Sequence, residues 1–193
     1  MPRISKSPNE LRKDIMEACI EVFNEKGLKF TMDDVAKSCH ISKKTVYLIF
    51  EDKEQMVLSM LDYCFDAIKA SEQKIYEDEN LTTVEKIRKI MIILPDRYKE
   101  VDFSKVIDLK DNYPELYKRL SIRLESDWDK TIELIEKGIE EGVIRKISIP
   151  VLKATVSGAM ESILGGSVLK KNKLSYTEAL DGLMDIVMNG IAQ

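Results

Sequence analysis

Thr31 and Ser42 frame a stretch that leaves room for two brief helices and a tight turn and for little else. Residues 31–53 read TMDDVAKSCHISKKTVYLIFEDK. Thr31 is placed to cap a helix whose apolar positions are Met32, Val35 and Ala36, and Ser42 to cap a second one carried on Val46, Ile49 and Phe50. Only Cys39, His40 and Ile41 lie between them. So short a connection makes the two helices cross steeply instead of running antiparallel, which is the geometry that offers the second helix to a DNA major groove.

Two helices of this length do not hold themselves in water, so the neighbouring segments must cover them. Over residues 9–26 Leu11, Ile15, Cys19, Ile20, Val22 and Phe23 recur at helical spacing, and Gly27 supplies the stop. Asp52 followed by Gln55 predicts a capping box opening a long helix to about Tyr76, with Met56, Val57, Met60, Leu61, Cys64, Phe65 and Ile68 as its stripe. At about 1.5 Å per residue this is a rod of roughly 36 Å, long enough to join a head of residues 1–53 to a body of residues 54–193.

The body reads as helical too. Residues 81–94 form a helix ended by Pro95, residues 103–110 a short one, and residues 113–142 either two helices or one with an irregular start at Pro114. Residues 149–169 are apolar on nearly all sides, yet Lys153 and Glu161 interrupt them. Each central charge costs a membrane span about 2.5–3.5 kcal/mol, so a buried interface helix fits better. Val156, Met160, Ile163 and Leu164 from this helix, with Leu180, Leu183, Met184 and Val187 from residues 176–191, are expected to form half of a four-helix interface in a homodimer. Alternating strand patterns do not occur, and the fold class expected is all-α: a three-helix head joined by a long helix to a helical body for ligand binding and dimerisation.

The 193 residues carry a net charge of −4, which at first argues against a nucleic-acid partner. The average misleads, because residues 1–53 hold ten Lys and Arg against nine Asp and Glu, and Lys37, Lys43 and Lys44 gather around the turn. The opening MPRISKSPNE has no apolar stretch behind its charges, so neither a signal peptide nor a membrane anchor is expected, and the cytoplasm is the expected compartment. Cys19, Cys39 and Cys64 are odd in number and fall at apolar positions, the pattern of buried thiols and not of a disulfide framework. His40 is the sole histidine, and neither a metal-ligand nor a catalytic constellation accompanies it; Ser71 to Lys74 matches S-x-x-K without that motif's companions. No cofactor and no enzymatic activity are expected. Tyr63, Phe65, Met91, Tyr98, Phe103, Tyr113, Tyr117, Trp128 and Met160 supply enough aromatic and soft apolar surface to line a pocket, and Glu161 is the odd acid beside them.

The order T-x-x-D-V-A-K from Thr31, S-K-K-T-V-Y-x-x-F from Ser42 and D-K-E from Asp52 resembles the tetracycline-repressor (TetR) family of bacterial transcriptional regulators over about the first sixty residues. That resemblance implies that Ser42, Lys43, Lys44 and Thr45 open the recognition helix, that Tyr47 meets the DNA backbone, and that Lys53 and Thr31 meet phosphates at the heads of their helices. His40 stands where many relatives carry glycine, a turn position suited to a left-handed backbone, and its ring is placed to meet phosphate. Ile49 stands where many carry a histidine or tyrosine, and it cannot donate a hydrogen bond. The function implied is that of a homodimeric repressor on a palindromic double-stranded operator, released by a small-molecule effector that enters the body. The alternative is a helical ligand-binding or protein-interaction module whose head does not bind DNA.

Overall fold

The computed structural model describes residues 7–95, 98, 108–126, 128–164 and 167–191. Helices carry the whole architecture among them, as expected for an all-α chain. The first, α1 (Pro8–Lys26), opens on a capping box: the Ser7 hydroxyl accepts from the Glu10 amide at 3.3 Å, while the Glu10 carboxylate accepts from the Ser7 amide at 2.8 Å. It stops at Gly27, whose φ of 57° no residue with a side chain adopts without cost. A single tight turn then leads to α2 (Met32–Ser38), where Thr31 and Asp34 form a second box. A 2.7 Å contact with Lys26, followed by the bonds from Thr31, holds the Asp34 carboxylate far below the usual carboxylate range.

α3 (Lys43–Ile49) starts on Ser42, whose hydroxyl accepts from the Thr45 amide at 3.1 Å. α4 (Lys53–Glu77) starts on Asp52, which accepts from the Gln55 amide at 2.8 Å. The reciprocal half of the expected box lands one residue upstream, because the Gln55 side chain takes the Glu51 amide at 2.8 Å instead of that of Asp52.

In the body, α5 (Thr83–Met91) is shorter than expected at both ends. Thr82 and Glu85 cap it late, and Ile92 leaves the helical region three residues before Pro95, a residue that disfavours helix in what precedes it. α6 (Asp108–Asn112) covers the end of the short helix expected at residues 103–110, whose start lies outside the described residues. Residues 113–142 resolve into α7 (Pro114–Ser126) and α8 (Asp129–Glu140), with Pro114 at the first helical position, where its missing amide costs nothing. α9 (Ile149–Leu164), α10 (Ser167–Asn172) and α11 (Tyr176–Ile191) complete the chain. The single apolar helix expected over residues 149–169 thus ends at Leu164, with Leu169 on α10.

Two apolar cores form. The first unites α1, α2, α3 and the opening of α4 through Ile15, Cys19, Val35, Val46, Phe50 and Met56, and continues without a break into Leu109 and Leu116 on α6 and α7. The second packs α5, α8, α9 and α11 through Ile87, Ile135, Val156 and Met184. α8 approaches the turn after it closely enough that a Cβ on Gly138 would meet Ile144 Cγ1 at 2.7 Å, so only glycine fits there. Because the first core crosses residue 53, the head expected at residues 1–53 shares its interior with the body.

Candidate nucleic-acid interface and an apolar cavity

The sequence of α3 divides sharply between inside and outside. Val46 and the following Phe50 are sealed in the first core, and the Arg12 guanidinium sits over the Phe50 ring at 4.8 Å. On the opposite face Lys44, Tyr47 and Leu48 stand one helical turn apart and point to solvent, with Tyr47 46% and Leu48 76% exposed. Leu48 went unsuspected from the sequence, since an apolar residue outside the Val46, Ile49 and Phe50 register carries no functional signal of its own. A methyl-bearing side chain so placed suits contact with a thymine methyl group.

The other expected DNA contacts differ in how free they are. Lys43 is exposed, but its ammonium lies 3.0 Å from Asp33, and that partner raises its pKa. It also stands 5.8 Å above the Tyr47 ring. Ser42 and Thr45 bond each other at 2.7 Å while capping α3, and the Thr31 hydroxyl donates to Asp34 at 2.8 Å. These three side chains therefore build the helix ends first. His40 adopts the left-handed backbone expected of the turn, at φ 55°, with its side chain exposed beside α3.

Lys53 is placed differently from the phosphate contact that the resemblance implies. Its ammonium donates to the Leu28 carbonyl, lies 4.7 Å over the Phe30 ring and 5.9 Å from the ring of Tyr113, at the junction of α6 and α7. Burial lowers its pKa. The lysine is held among head and body, where a carbonyl and two aromatic faces take the place of solvent.

An apolar cavity of about 190 Å³ opens between the two cores. α1 contributes Ile20 and Phe23, and α4 contributes Val57, Met60, Leu61, Cys64, Phe65 and Ile68. Of the pocket residues expected from the sequence, Phe65, Met91, Tyr98, Trp128 and Met160 line it. Tyr63 instead donates to Glu17 on α1, and Tyr117 donates to Glu161 at 3.2 Å, so the odd acid is an exposed partner of that hydroxyl. Tyr113 packs against the first core, and Phe103 lies outside the described residues.

α9 and α11 turn inward most of the side chains expected to meet a second copy. Val156 and Met184 are fully buried, and Ile163, Leu164, Leu180 and Val187 nearly so, while Met160 and Leu183 are half-buried. They fill this chain's own interior because α9 is apolar all round, and the second core claims its best-packed side. The outward faces hold Val151, Ala154, Thr155 and Gly158 on α9, and Gly182, Ile186 and Gly190 on α11, with Ile186 77% exposed.

Residues 15–60 match the family model described as bacterial regulatory proteins, tetR family. That segment is of the TetR family. It is 25% identical over 179 residues to the HTH-type transcriptional regulator YvaF of Bacillus subtilis, covering 93% of this chain and 94% of that one. It is 26% identical over 112 residues to the biofilm operon HTH-type negative transcriptional regulator IcaR of Staphylococcus aureus, covering 58% of this chain and 54% of that protein. The fold is also that of a TetR transcription regulator from Haloarcula marismortui, with a TM-score of 0.72 at 16% identity over 96% of this chain and all of that one. The matched TetR segment runs from the buried side of α1 through α2 and α3 into α4, so it contains the exposed Lys44, Tyr47 and Leu48 face.

Beyond the matched segment, the chain places three acidic or basic side chains at the cavity that sequence reasoning missed: Lys69, Glu72 and Arg123. Among the described residues no group of three His, Cys, Asp or Glu side chains stands ready for a metal ion, and no helix is long and apolar enough to cross a membrane. Burial pushes the Cys19 thiol up to about 12, with Cys64 and Cys39 adding to the same effect. A thiol this high is unreactive near neutrality. Native protein treated with an alkylating thiol reagent at pH 8 is expected to leave Cys19 unmodified by peptide mapping, and to lose that protection in denaturant. Labelling of Cys19 at the rate of a free thiol would contradict its burial.

Proposed function

We propose that this transcriptional regulator is a homodimeric repressor that reads a palindromic operator with one α3 helix per subunit and is released by a small-molecule effector bound in the cavity. The observation that carries the reading is the α3 surface: Lys44, Tyr47 and Leu48 share one exposed face while Val46 and Phe50 anchor the opposite one. Lys44 is assigned to phosphate or a guanine edge, Tyr47 to the backbone, and Leu48 to a base methyl. His40, Lys43, Ser42, Thr45 and Thr31 border that face, with Lys43 reaching DNA once it leaves Asp33.

The resemblance to a named negative regulator supports repression. The outward faces of α9 and α11, with small residues around Val151 and Ile186, support dimerisation through a four-helix interface. Effector action follows from the cavity wall. Ile20 and Phe23 belong at once to the α1 core of the head and to the lining, and α4 starts in the head before it lines the cavity. A ligand that fills the cavity pushes on both helices and shifts the two α3 helices from the roughly 34–36 Å spacing of one DNA turn. Operator and effector must then weaken each other's binding equally. On this reading the head comprises residues 1–53 and the effector and dimer body residues 54–193.

Fluorescence anisotropy with the promoter region beside the protein's own gene tests it. The expected result is a complex that survives competition by random DNA and whose stoichiometry is one dimer or a multiple of it. Binding no tighter than to random DNA would remove the operator reading.

A further inference from the structure

We propose that the cavity takes a compact apolar carboxylic acid whose carboxylate is held by Arg123. The inference rests on the effector reading of the cavity and names the class of ligand. The wall is mostly aliphatic and aromatic, so the bulk of the occupant is apolar. Its volume of about 190 Å³ is slightly larger than the ~150 Å³ of a cavity that admits benzene, which limits the tail to a single ring or a short chain.

The charged residues in the wall decide the head group. Lys69 and Glu72, one turn apart on α4, neutralise each other at 2.8 Å, and Glu72 is buried in that pair. A cationic ligand would find that carboxylate already engaged. Arg123 is different. Its Nη2 reaches only to 3.6 Å from Asp66, a carboxylate 77% exposed to water, while its Nε is buried without a hydrogen-bond acceptor among the described residues. A buried guanidinium N–H left unmatched is costly, and the planar fork of Nε with a terminal nitrogen matches a carboxylate in two parallel bonds. The Phe65 ring, 5.2 Å from the guanidinium carbon, fixes that fork against the cavity wall. Arg123 lies on α7 and Phe65 on α4, so the carboxylate would bridge the two helices on either side of the cavity.

Trp128 is the sole tryptophan of the chain and lines the cavity, so its fluorescence reports occupancy directly. The full chain is titrated with octanoate and hydrocinnamate and with the matching neutral alcohols, octanol and hydrocinnamyl alcohol. Each acid is expected to bind about tenfold or more tightly than its alcohol, the preference of a charge-assisted hydrogen bond. Arg123→Met is expected to erase the preference and leave the alcohols unaffected, while Asp66→Asn, which removes the competing carboxylate, strengthens the acids alone. Equal binding of acid and alcohol by the unaltered chain, or a preference that survives Arg123→Met, overturns the proposal while the cavity remains an apolar binding site. Should none of the four probes move Trp128 fluorescence, the effector reading falls with it. If Arg123→Met fails to fold by circular dichroism, the acid-to-alcohol ratio and the Asp66→Asn response still decide.

Discussion

Phe50→Ala is expected to destabilise the head by about 3–5 kcal/mol, the cost of truncating a fully enclosed phenylalanine. Phe50 is only 1% exposed and follows the last turn of α3, where it joins Val46, Ile15 and Met56 in one core. The residue also carries the Arg12 guanidinium over its ring, a contact that alanine cannot replace. Chain stabilities of about 5–15 kcal/mol leave little margin for such a loss, so operator binding is expected to fail with it. Urea unfolding followed by far-UV circular dichroism measures the change. Leu48→Ala is the matched control, because a side chain so exposed on the same helix changes stability by about 0.5 kcal/mol or less. Coincident unfolding midpoints for the two variants would contradict the placement of Phe50.

Lys44→Ala is expected to weaken operator binding by about 1–3 kcal/mol per protomer without shifting the unfolding midpoint. Its side chain is exposed on α3 and clear of the core. The salt dependence distinguishes its two possible partners. A phosphate contact lowers the slope by about one for each protomer and weakens all sequences alike, whereas a guanine contact leaves the slope and relaxes discrimination at one base pair. Tyr47→Ala is expected to act in the same direction, because its exposed ring shares the face. Unaltered affinity in both variants would move the DNA-reading surface away from α3.

The caps explain why so much of the head was legible from the sequence. Thr31, Ser42 and Asp52 each act on the amide three residues on, so their chemistry is written locally and survives any tertiary arrangement. His40 was legible for the same reason, as its left-handed backbone answers to a three-residue turn. Two things were not local. The resemblance implied a phosphate contact for Lys53 at the opening of its helix, yet Leu28, Phe30 and Tyr113 come to it from distant parts of the chain. Lys69, Glu72 and Arg123 are ordinary surface charges in sequence, and only the packing of α4 against α7 brings them to one cavity. α9 shows a third limit. A helix apolar on all sides has no dominant stripe, so periodicity could not tell that Val156 faces inward and Val151 outward.

The position of Lys53 bears on how far this head is a portable module. Its ammonium joins a carbonyl and a ring of the head to a ring at the α6–α7 junction, and the core beneath it runs on into Leu109 and Leu116. A chimera cut at the start of α4 and fused to a foreign body would strip Tyr113 from one side of that cation and open the floor of the core. A workable graft therefore does not end at the start of α4 but carries α6 and the first turn of α7 with the head as a second transplanted segment.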